Sequence, residues 1–185
     1  MDISIDISGT VIETERLTLR PWQESDLYDF NAYASIPGVG EAAGWPRHKS
    51  LDESRKILKI FIDGKNEFAL FHRQDNKVIG SLGIKISDWA NEDERFKHLK
   101  MKDLGYVLSK DYWGRGLMPE AVKAVINHCF TQLALEAITC GYFKKNIQSQ
   151  RVVEKCGFRL VGEGTYYSSQ LQQHFRVVNY ILMKE

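Results

Sequence analysis

The 185-residue chain has few of the residues that mark a disulfide scaffold, a metal protein or a membrane protein. Its three cysteines are an odd number without a Cys-x-x-Cys pair, and its five histidines show no metal-ligand spacing. No apolar run approaches the roughly 20 residues that span a bilayer. Lys plus Arg number 25 against 24 Asp plus Glu, so neither sign of charge predominates. These absences favour a cytoplasmic protein without a metal, nucleic-acid partner or membrane contact.

The remaining composition is that of a globular chain. Hydrophobic residues make up 43% of the sequence, enough for a full core in a chain of this length. Residues 1–6 are acidic and lack the basic region of a secretory signal. We expect one domain over residues 1–185, in which Cys129, Cys140 and Cys156 are small buried apolar side chains.

The most informative segment runs from Leu104 to Ala121. Residues 104–108 suit a strand, Gly114 and Gly116 suit a tight turn, and Pro119 suits the first turn of a helix. A glycine turn that leads into a helix leaves backbone N–H groups free at the positive end of the helix dipole. The segment therefore favours a phosphate or pyrophosphate site, although the same turn also occurs without a ligand.

Two common phosphate motifs do not fit this segment, which lacks the third glycine of a dinucleotide fingerprint and the Gly-Lys-Ser/Thr of a P-loop. It resembles instead the acetyl-CoA-binding motif of the GNAT acyltransferase superfamily. The pattern Trp-Gly-x-Gly-x-Ala-x-Glu-Ala, found in ribosomal-protein N-terminal acetyltransferases, is matched by Trp113, Gly114, Gly116, Glu120 and Ala121. Met118 stands where a small residue is usual, so its side chain has to turn away from the cofactor.

A second segment, residues 146–158, resembles the other cofactor motif of the family, Asn-x-x-Ser followed by a short helix and Gly-Phe. Asn146 suits the N-cap of that helix, and Gly157 suits its left-handed C-terminal end. The two segments in this order are more specific for the GNAT superfamily than either segment alone. The resemblance extends toward the N-terminus, where Thr14–Pro21 is similar to the first strand of this branch.

The resemblance implies an α/β (α+β) protein with the GNAT acyltransferase fold, a mixed central sheet of about seven strands, about four helices and a splayed cofactor groove. Apolar periodicity agrees with a mixed order of helices and strands. A capping box, Ser50 to Glu53, begins one predicted helix, and the polar segment 88–99 is expected to be a loop. The predicted helices are 25–34, 50–63, 118–134 and 147–156, and the predicted strands include 101–108, 137–144, 158–167 and 174–183.

The resemblance also implies which residues hold acetyl-CoA. The backbone of Val107, Leu108 and Ser109 is expected to pair with the pantetheine arm. Asn146 and Ser149 are expected at the same groove. The backbone N–H groups expected to hold the pyrophosphate belong to Gly114, Arg115, Gly116 and Met118. The basic side chains available for the remaining phosphate are Arg115, Lys144, Lys145, Arg151 and Lys155.

Acetyl transfer to an amine needs a proton acceptor and a hydrogen-bond donor for the departing thiolate. Asp103 is the first candidate base, although it can equally be a strand-end charge, and Glu41 is the second. Many GNAT enzymes have a Tyr four residues before Gly-Phe, where this chain has Val153. Ser149 is then the candidate hydrogen-bond donor for the thiolate, and Asn146 is expected to orient the cofactor or a water. The alternative is that Ser149 only caps its helix.

The acceptor is less constrained than the cofactor. An α-amine, with a pKa of about 7.7–8.0, is neutral more readily than a lysine amine at about 10.4. We therefore predict direct transfer from acetyl-CoA to a protein N-terminus. A small-molecule amine acetyltransferase, a non-catalytic acyl-CoA-binding module and a nucleotide-binding protein are the alternatives. Trp45 and Trp89, in expected loops, could line the acceptor pocket. The sequence leaves monomer and homodimer equally open.

Overall fold

The computed structural model describes residues 4–184, which form one mixed sheet with helices against both faces. The strands are β1 (Ile12–Glu13), β2 (Leu17–Pro21), β3 (Glu67–His72), β4 (Lys77–Lys85), β5 (Met101–Leu108), β6 (Ala137–Phe143), β7 (Arg159–Ser168) and β8 (Gln173–Met183). The helices are α1 (Leu27–Ala34), α2 (Leu51–Gly64), α3 (Asp88–Glu92), α4 (Leu117–Thr131) and α5 (Ile147–Lys155).

The sheet has the order β1-β2-β3-β4-β5-β6-β8-β7, and its one parallel contact among the described residues joins β5 to β6. That contact extends only from Met101 to Asp103 on β5, opposite Ala137 to Thr139 on β6. On its other side, β5 stays paired with β4 as far as Leu108. The two central strands therefore separate beyond Asp103, which confirms the expected splayed groove.

The alternation of side chains along each strand divides the core between the two faces of the sheet. Leu82 and Leu104 pack with the buried residues of α4 and α5, whereas Ala69 and Val107 pack with those of α1 and α2. On β5, odd-numbered residues therefore face the α1–α2 layer, and even-numbered residues face the α4–α5 layer.

Local signals for helix ends agree with the structure. The Ser50 hydroxyl accepts the Glu53 N–H at 3.1 Å, and the Glu53 carboxylate accepts the Lys49 N–H at 2.7 Å. Pro119 lies in the first turn of α4. Gly157, with a φ of 81°, follows α5 in the left-handed conformation that a Cβ would disfavour.

Among residues 4–184, the sheet has eight strands and there are five α-helices, one more of each than expected. The additional strand, β1, is too short to show an alternating pattern, and it forms by pairing with Thr18 and Leu19. The additional helix, α3, lies within 88–99, so the prediction of a loop there was wrong in part. Ala90 of α3 is fully buried against Met101 and Ala137, so tertiary packing stabilises this short helix.

The final strands form the expected hairpin, β7 with β8, and β8 also pairs with β6. All three cysteines are buried, as expected. In the described part of the chain, every helix is too short or too polar to cross a membrane.

Candidate active site

The gap between β5 and β6 exposes one backbone edge of β5. The Ser109 N–H donates to the Ile79 carbonyl at 2.8 Å, so the backbone groups of Ser109 and, by alternation, Val107 point toward β4. Those of Tyr106 and Leu108 point into the gap. Trp113 Nε1 donates to the Leu108 carbonyl at 2.9 Å, which leaves the Leu108 N–H facing the gap. Of the three residues predicted to pair with pantetheine, only Leu108 has its backbone directed there.

The glycine turn has the geometry that was expected. Gly114 and Gly116 both have a φ of 77°, and Gly116 is the N-cap of α4. Within residues 4–184, the N–H groups of Gly114 through Met118 donate to no protein acceptor. The Met118 side chain is 4% exposed and packs in the core, so it points away from the proposed cofactor site, as expected. Several free N–H groups at the start of a helix of 15 residues suit a pyrophosphate.

An ion pair that the sequence analysis missed braces this turn. The Arg16 Nε donates to Glu120 Oε2 at 2.8 Å, and another Arg16 nitrogen donates to the Arg115 carbonyl at 2.8 Å. The Thr14 hydroxyl donates to Glu120 Oε1 at 2.6 Å. Burial would raise the pKa of Glu120, but hydrogen bonds from Thr14 and Arg16 outweigh it and hold that pKa below its usual value. The connection between β1 and β2 is thereby joined to α4 at the turn.

The segment at 146–149 contributes a cap and a hydroxyl. Asn146 Oδ1 accepts the Ser149 N–H at 3.1 Å, while its Nδ2 donates to the Ala42 carbonyl at 3.1 Å. The Ser149 hydroxyl lies 2.8 Å from the Tyr106 hydroxyl. Burial raises the pKa of Tyr106 well above its ordinary value, so the phenol stays protonated. Val153, at the position where the resemblance implies a Tyr, is fully buried.

Tyr106 therefore supplies a phenol at this site from a different element. The sequence carried one signal for it, since Tyr106 alternates with Leu104 and Leu108 on the face of β5 that meets α5. The contact itself joins residues 43 positions apart, and local pattern does not predict such a contact.

Asp103 lies where β5 and β6 begin to separate. Its Oδ1 accepts the Thr139 hydroxyl at 2.6 Å, and Thr139 is itself 2.7 Å from the buried Ser87 hydroxyl. Burial raises the pKa of Asp103 to about 7, and nearby Asp88 adds to the rise, whereas the Thr139 hydrogen bond and the charge of Lys85 oppose it. A carboxyl group with this pKa can accept a proton near neutral pH.

The other predicted base, Glu41, has a different environment. Its carboxylate accepts the Gly38 N–H at 2.6 Å and the Arg47 N–H at 3.4 Å, so it holds the loop between α1 and α2 together. Burial would raise the pKa of Glu41, but these backbone hydrogen bonds keep it lower than usual. Such a carboxylate is a weak proton acceptor, and its geometry favours a structural role.

Of the basic and aromatic residues singled out from the sequence, Lys144 and Lys145 border the open groove. Lys144 pairs with Glu163, and Arg115 lies 4.9 Å above the Tyr112 ring. Arg151, Lys145 and Lys155 are exposed on or beside α5. The two tryptophans predicted to line a pocket are partly buried, Trp45 beside His48 and Trp89 beside Phe96.

An open groove of about 810 Å³ lies at the mouth of the gap. It is bounded by the turn residue Trp113, the start of α5 and the start of β8, and the loop residues Glu41 and Ala42 form its remaining side. Phe143 and Phe175, stacked 4.3 Å apart, form an aromatic wall. The groove therefore joins the cofactor motifs to the loop between α1 and α2.

Comparison with known protein families shows to which family the chain belongs. The family model for an acetyltransferase (GNAT) domain matches residues 16–159. The chain belongs to the GNAT acetyltransferase family. This GNAT protein is 27% identical over 154 residues to uncharacterized N-acetyltransferase p20 of Bacillus licheniformis, across 80% of this chain and 82% of that protein.

Solved structures show the same fold. A GNAT-family acetyltransferase from Bacillus anthracis has a TM-score of 0.80 at 19% identity, covering 94% of this chain and 98% of that one. RimL, a ribosomal L7/L12 alpha-N-protein acetyltransferase, has a TM-score of 0.75 at 19% identity, covering 95% and 94%. The protein is thus an N-acetyltransferase of the GNAT family, whose members act on an amine and generally use acetyl-CoA.

Proposed function

We propose that this GNAT enzyme transfers an acetyl group from acetyl-CoA to the α-amine of a protein N-terminus. One observation carries the proposal. A carboxyl group with a pKa near neutrality and a pair of hydroxyls lie beside the same gap, on opposite faces of the sheet. Asp103 faces the α1–α2 layer, whereas Tyr106 and Ser149 meet on the α4–α5 side.

The free backbone groups fit acetyl-CoA. Leu108 and Tyr106 offer an unpaired strand edge to the amides of the pantetheine arm, as an added strand would require. The N–H groups of Gly114, Arg115, Gly116 and Met118 would receive the pyrophosphate, and Arg151 is an exposed cation for the remaining phosphate. Val107 and Ser109 would support this edge through their pairing with β4.

The chemistry assigned to the side chains follows from their placement. Asp103 accepts a proton from the acceptor ammonium, and Thr139 orients its carboxylate. The neutral amine then forms a bond to the acetyl carbon, the carbon–sulfur bond breaks, and the nitrogen releases its second proton, which passes through the Tyr106 hydroxyl to the departing thiolate. The Tyr106 hydroxyl, held by Ser149, supplies a proton or hydrogen bond to the sulfur. Asn146 acts through Ser149 by capping its helix.

Two considerations support a protein α-amine as the acceptor. Its reference pKa of about 7.7–8.0 is close to that of Asp103, so little free energy is needed to produce the neutral amine. RimL, which shares the fold, is named for acetylation of a ribosomal protein at its α-amine. The Tyr106 hydroxyl would also supply the phenol that is missing at Val153, whose absence favours a non-catalytic module.

CoA release with a panel of amines tests the proposal. Peptides with a free α-amine should be acetylated, and the same peptides with a blocked N-terminus and a free lysine should react far more slowly. Preferred turnover of small amines would contradict the proposed acceptor. Tight acetyl-CoA binding without turnover of any amine would instead support the binding-module alternative.

A further inference from the structure

The α1–α2 face of the sheet carries a trough that the cofactor motifs do not explain. Gly83 of β4 pairs with Gly105 of β5, so two neighbouring strands lack a side chain in the same row. Glu67 of β3 pairs with Gly83 from the other side. A Cβ at Gly83 would clash with the Glu67 carboxylate. The two glycines therefore give Glu67 room to extend across β4 toward the gap.

Carboxyl groups stand at both ends of this trough. Glu67, at the closed end, is 5% exposed, and burial raises its pKa. Asp103, at the open end, shares the α1–α2 face with Gly105 because the two residues are two positions apart on β5. The floor between the carboxyl groups is backbone, which allows a ligand to lie close to the sheet.

A lysine side chain lies in this trough. Lys85 pairs with Asp103 across β4 and β5, and its Nζ lies 3.7 Å from Glu67 Oε2. A Cβ at Gly105 would be 3.5 Å from the same Nζ. The Lys85 side chain is 52% exposed, so it can move into solvent without disturbing the core. The trough thus already accommodates a primary ammonium group between two carboxyl groups.

A buried hydroxyl points to the same region. Tyr33 of α1 is 3% exposed, and its hydroxyl lies close to the buried Ser81 hydroxyl. Burial raises the pKa of Tyr33 well above the ordinary value and the charge of Glu67 adds to the rise, whereas the Ser81 hydroxyl opposes it. Ser81 also interacts with Glu67, so Tyr33 and Ser81 form a polar lining beside the Glu67 end of the trough.

We propose that this trough binds the ammonium group of the acceptor, with Glu67 as its anchor and Lys85 as an internal occupant that the acceptor displaces. The inference rests on the proposed function, because the trough delivers the amine that is acetylated. The acceptor ammonium first replaces Lys85 at Glu67 and then moves over Gly105 to Asp103, opposite the hydroxyls of Tyr106 and Ser149. An amine entering this way meets the proton acceptor first and the acetyl group next.

Steady-state CoA release tests the anchor with two probes, a tetrapeptide that begins with a free alanine and 1,4-diaminobutane. Glu67→Gln keeps the shape of the side chain and removes its charge. The acceptor KM should rise about tenfold or more, because a hydrogen bond to a charged group is lost. The acetyl-CoA KM should change less than about twofold. Glu13→Gln, at an exposed carboxylate of the edge strand, is the matched control.

Two further variants test the displacement. Lys85→Ala empties the trough and should lower the acceptor KM about threefold, since the internal ammonium no longer competes. A rise in that KM would overturn the displacement. Gly105→Ala adds a methyl group whose nearest neighbours are atoms of Lys85, so the fold should tolerate it. This variant should raise the acceptor KM, and an unchanged value would count against the trough.

The outcomes separate this inference from the proposed function. If only diaminobutane is acetylated, the proposal of a protein acceptor is wrong. The acceptor KM of wild type and Glu67→Gln is then compared with the diamine as acceptor. An unchanged acceptor KM in Glu67→Gln, with either probe, overturns the trough and leaves acetyl transfer standing. If neither probe reacts, calorimetry on the CoA complex compares the peptide with its N-acetylated form, and diaminobutane with its form acetylated at both nitrogens. Equal affinities of the two forms, or equal binding by wild type and Glu67→Gln, would then refute the anchor.

Discussion

At the scale of single residues, the position of a carboxyl group determines what it can do. Asp103 and Glu41 are both acidic residues near the groove, but burial raises the pKa of Asp103 to about 7, whereas backbone N–H groups keep that of Glu41 low. We therefore propose Asp103, rather than Glu41, as the proton acceptor.

Asp103→Asn should lower kcat/KM by about 100-fold or more, the usual contribution of a general base. In the wild type, the rate should rise as pH increases through about 7, because the carboxylate must be ionised. The Asp103→Asn variant should lack this rise. Because the acceptor amine titrates equally in both proteins, the difference between the two pH profiles reports the ionisation of Asp103. Thr139→Val, which deletes a hydrogen bond to the ionised form, should shift the rise to higher pH. Identical pH profiles in all three proteins would contradict the assignment.

Tyr106→Phe tests the proton donor by removing one hydroxyl. We expect kcat to fall about tenfold or more while the acetyl-CoA dissociation constant is unchanged, because the hydroxyl acts on the departing sulfur. Tyr28→Phe, at a tyrosine that is 73% exposed, serves as the control for the same chemical change. Full activity in Tyr106→Phe would leave Ser149 as the donor.

At the scale of elements, the glycine turn depends on Arg16, which lies in the connection between β1 and β2, 99 residues before Arg115. Arg16→Ala should raise the acetyl-CoA KM about tenfold with little change in kcat, because the turn loses its brace. Glu120→Gln should have a similar effect, and the double variant should cost less than the sum of the two. Arg55→Ala, at an exposed pair on α2, controls for loss of an arginine. If the changes in acetyl-CoA KM caused by the two single substitutions add up to that of the double variant, Arg16 and Glu120 do not act as a unit.

At the scale of the whole molecule, cofactor binding should raise the stability of the fold. Acetyl-CoA at 100 times its dissociation constant should add about 2.7 kcal/mol to the free energy of unfolding. For a chain of this length the melting temperature should rise by roughly 5–10 °C. Gly116→Trp should abolish the shift, since a Cβ is strained at a φ of 77° and the indole would block the N–H groups. Gly9→Trp, where a Cβ would meet no atom within 4 Å, is the control. Equal shifts in both variants would argue against this turn as the pyrophosphate site.

The sequence by itself determined the features that depend on near neighbours. Gly116 and Gly157 adopt left-handed backbone angles that few other residues adopt, so their positions marked the turn and the end of α5. Asn146 caps α5 through an N–H three residues away. The alternation of apolar residues located β5 and its helical neighbours. These signals are local, and they also carried the family resemblance. That residues 1–185 form one domain stays a prediction.

The tertiary structure decided which side chains meet at the site. Tyr106 reaches Ser149, Arg16 reaches Glu120, and Glu67 reaches toward β5, in each case across separate elements of the fold. These contacts depend on strand register and on the separation of β5 from β6, because one residue of register places a side chain on the opposite face. Burial, and with it the raised pKa of Asp103, exists only once those elements pack together.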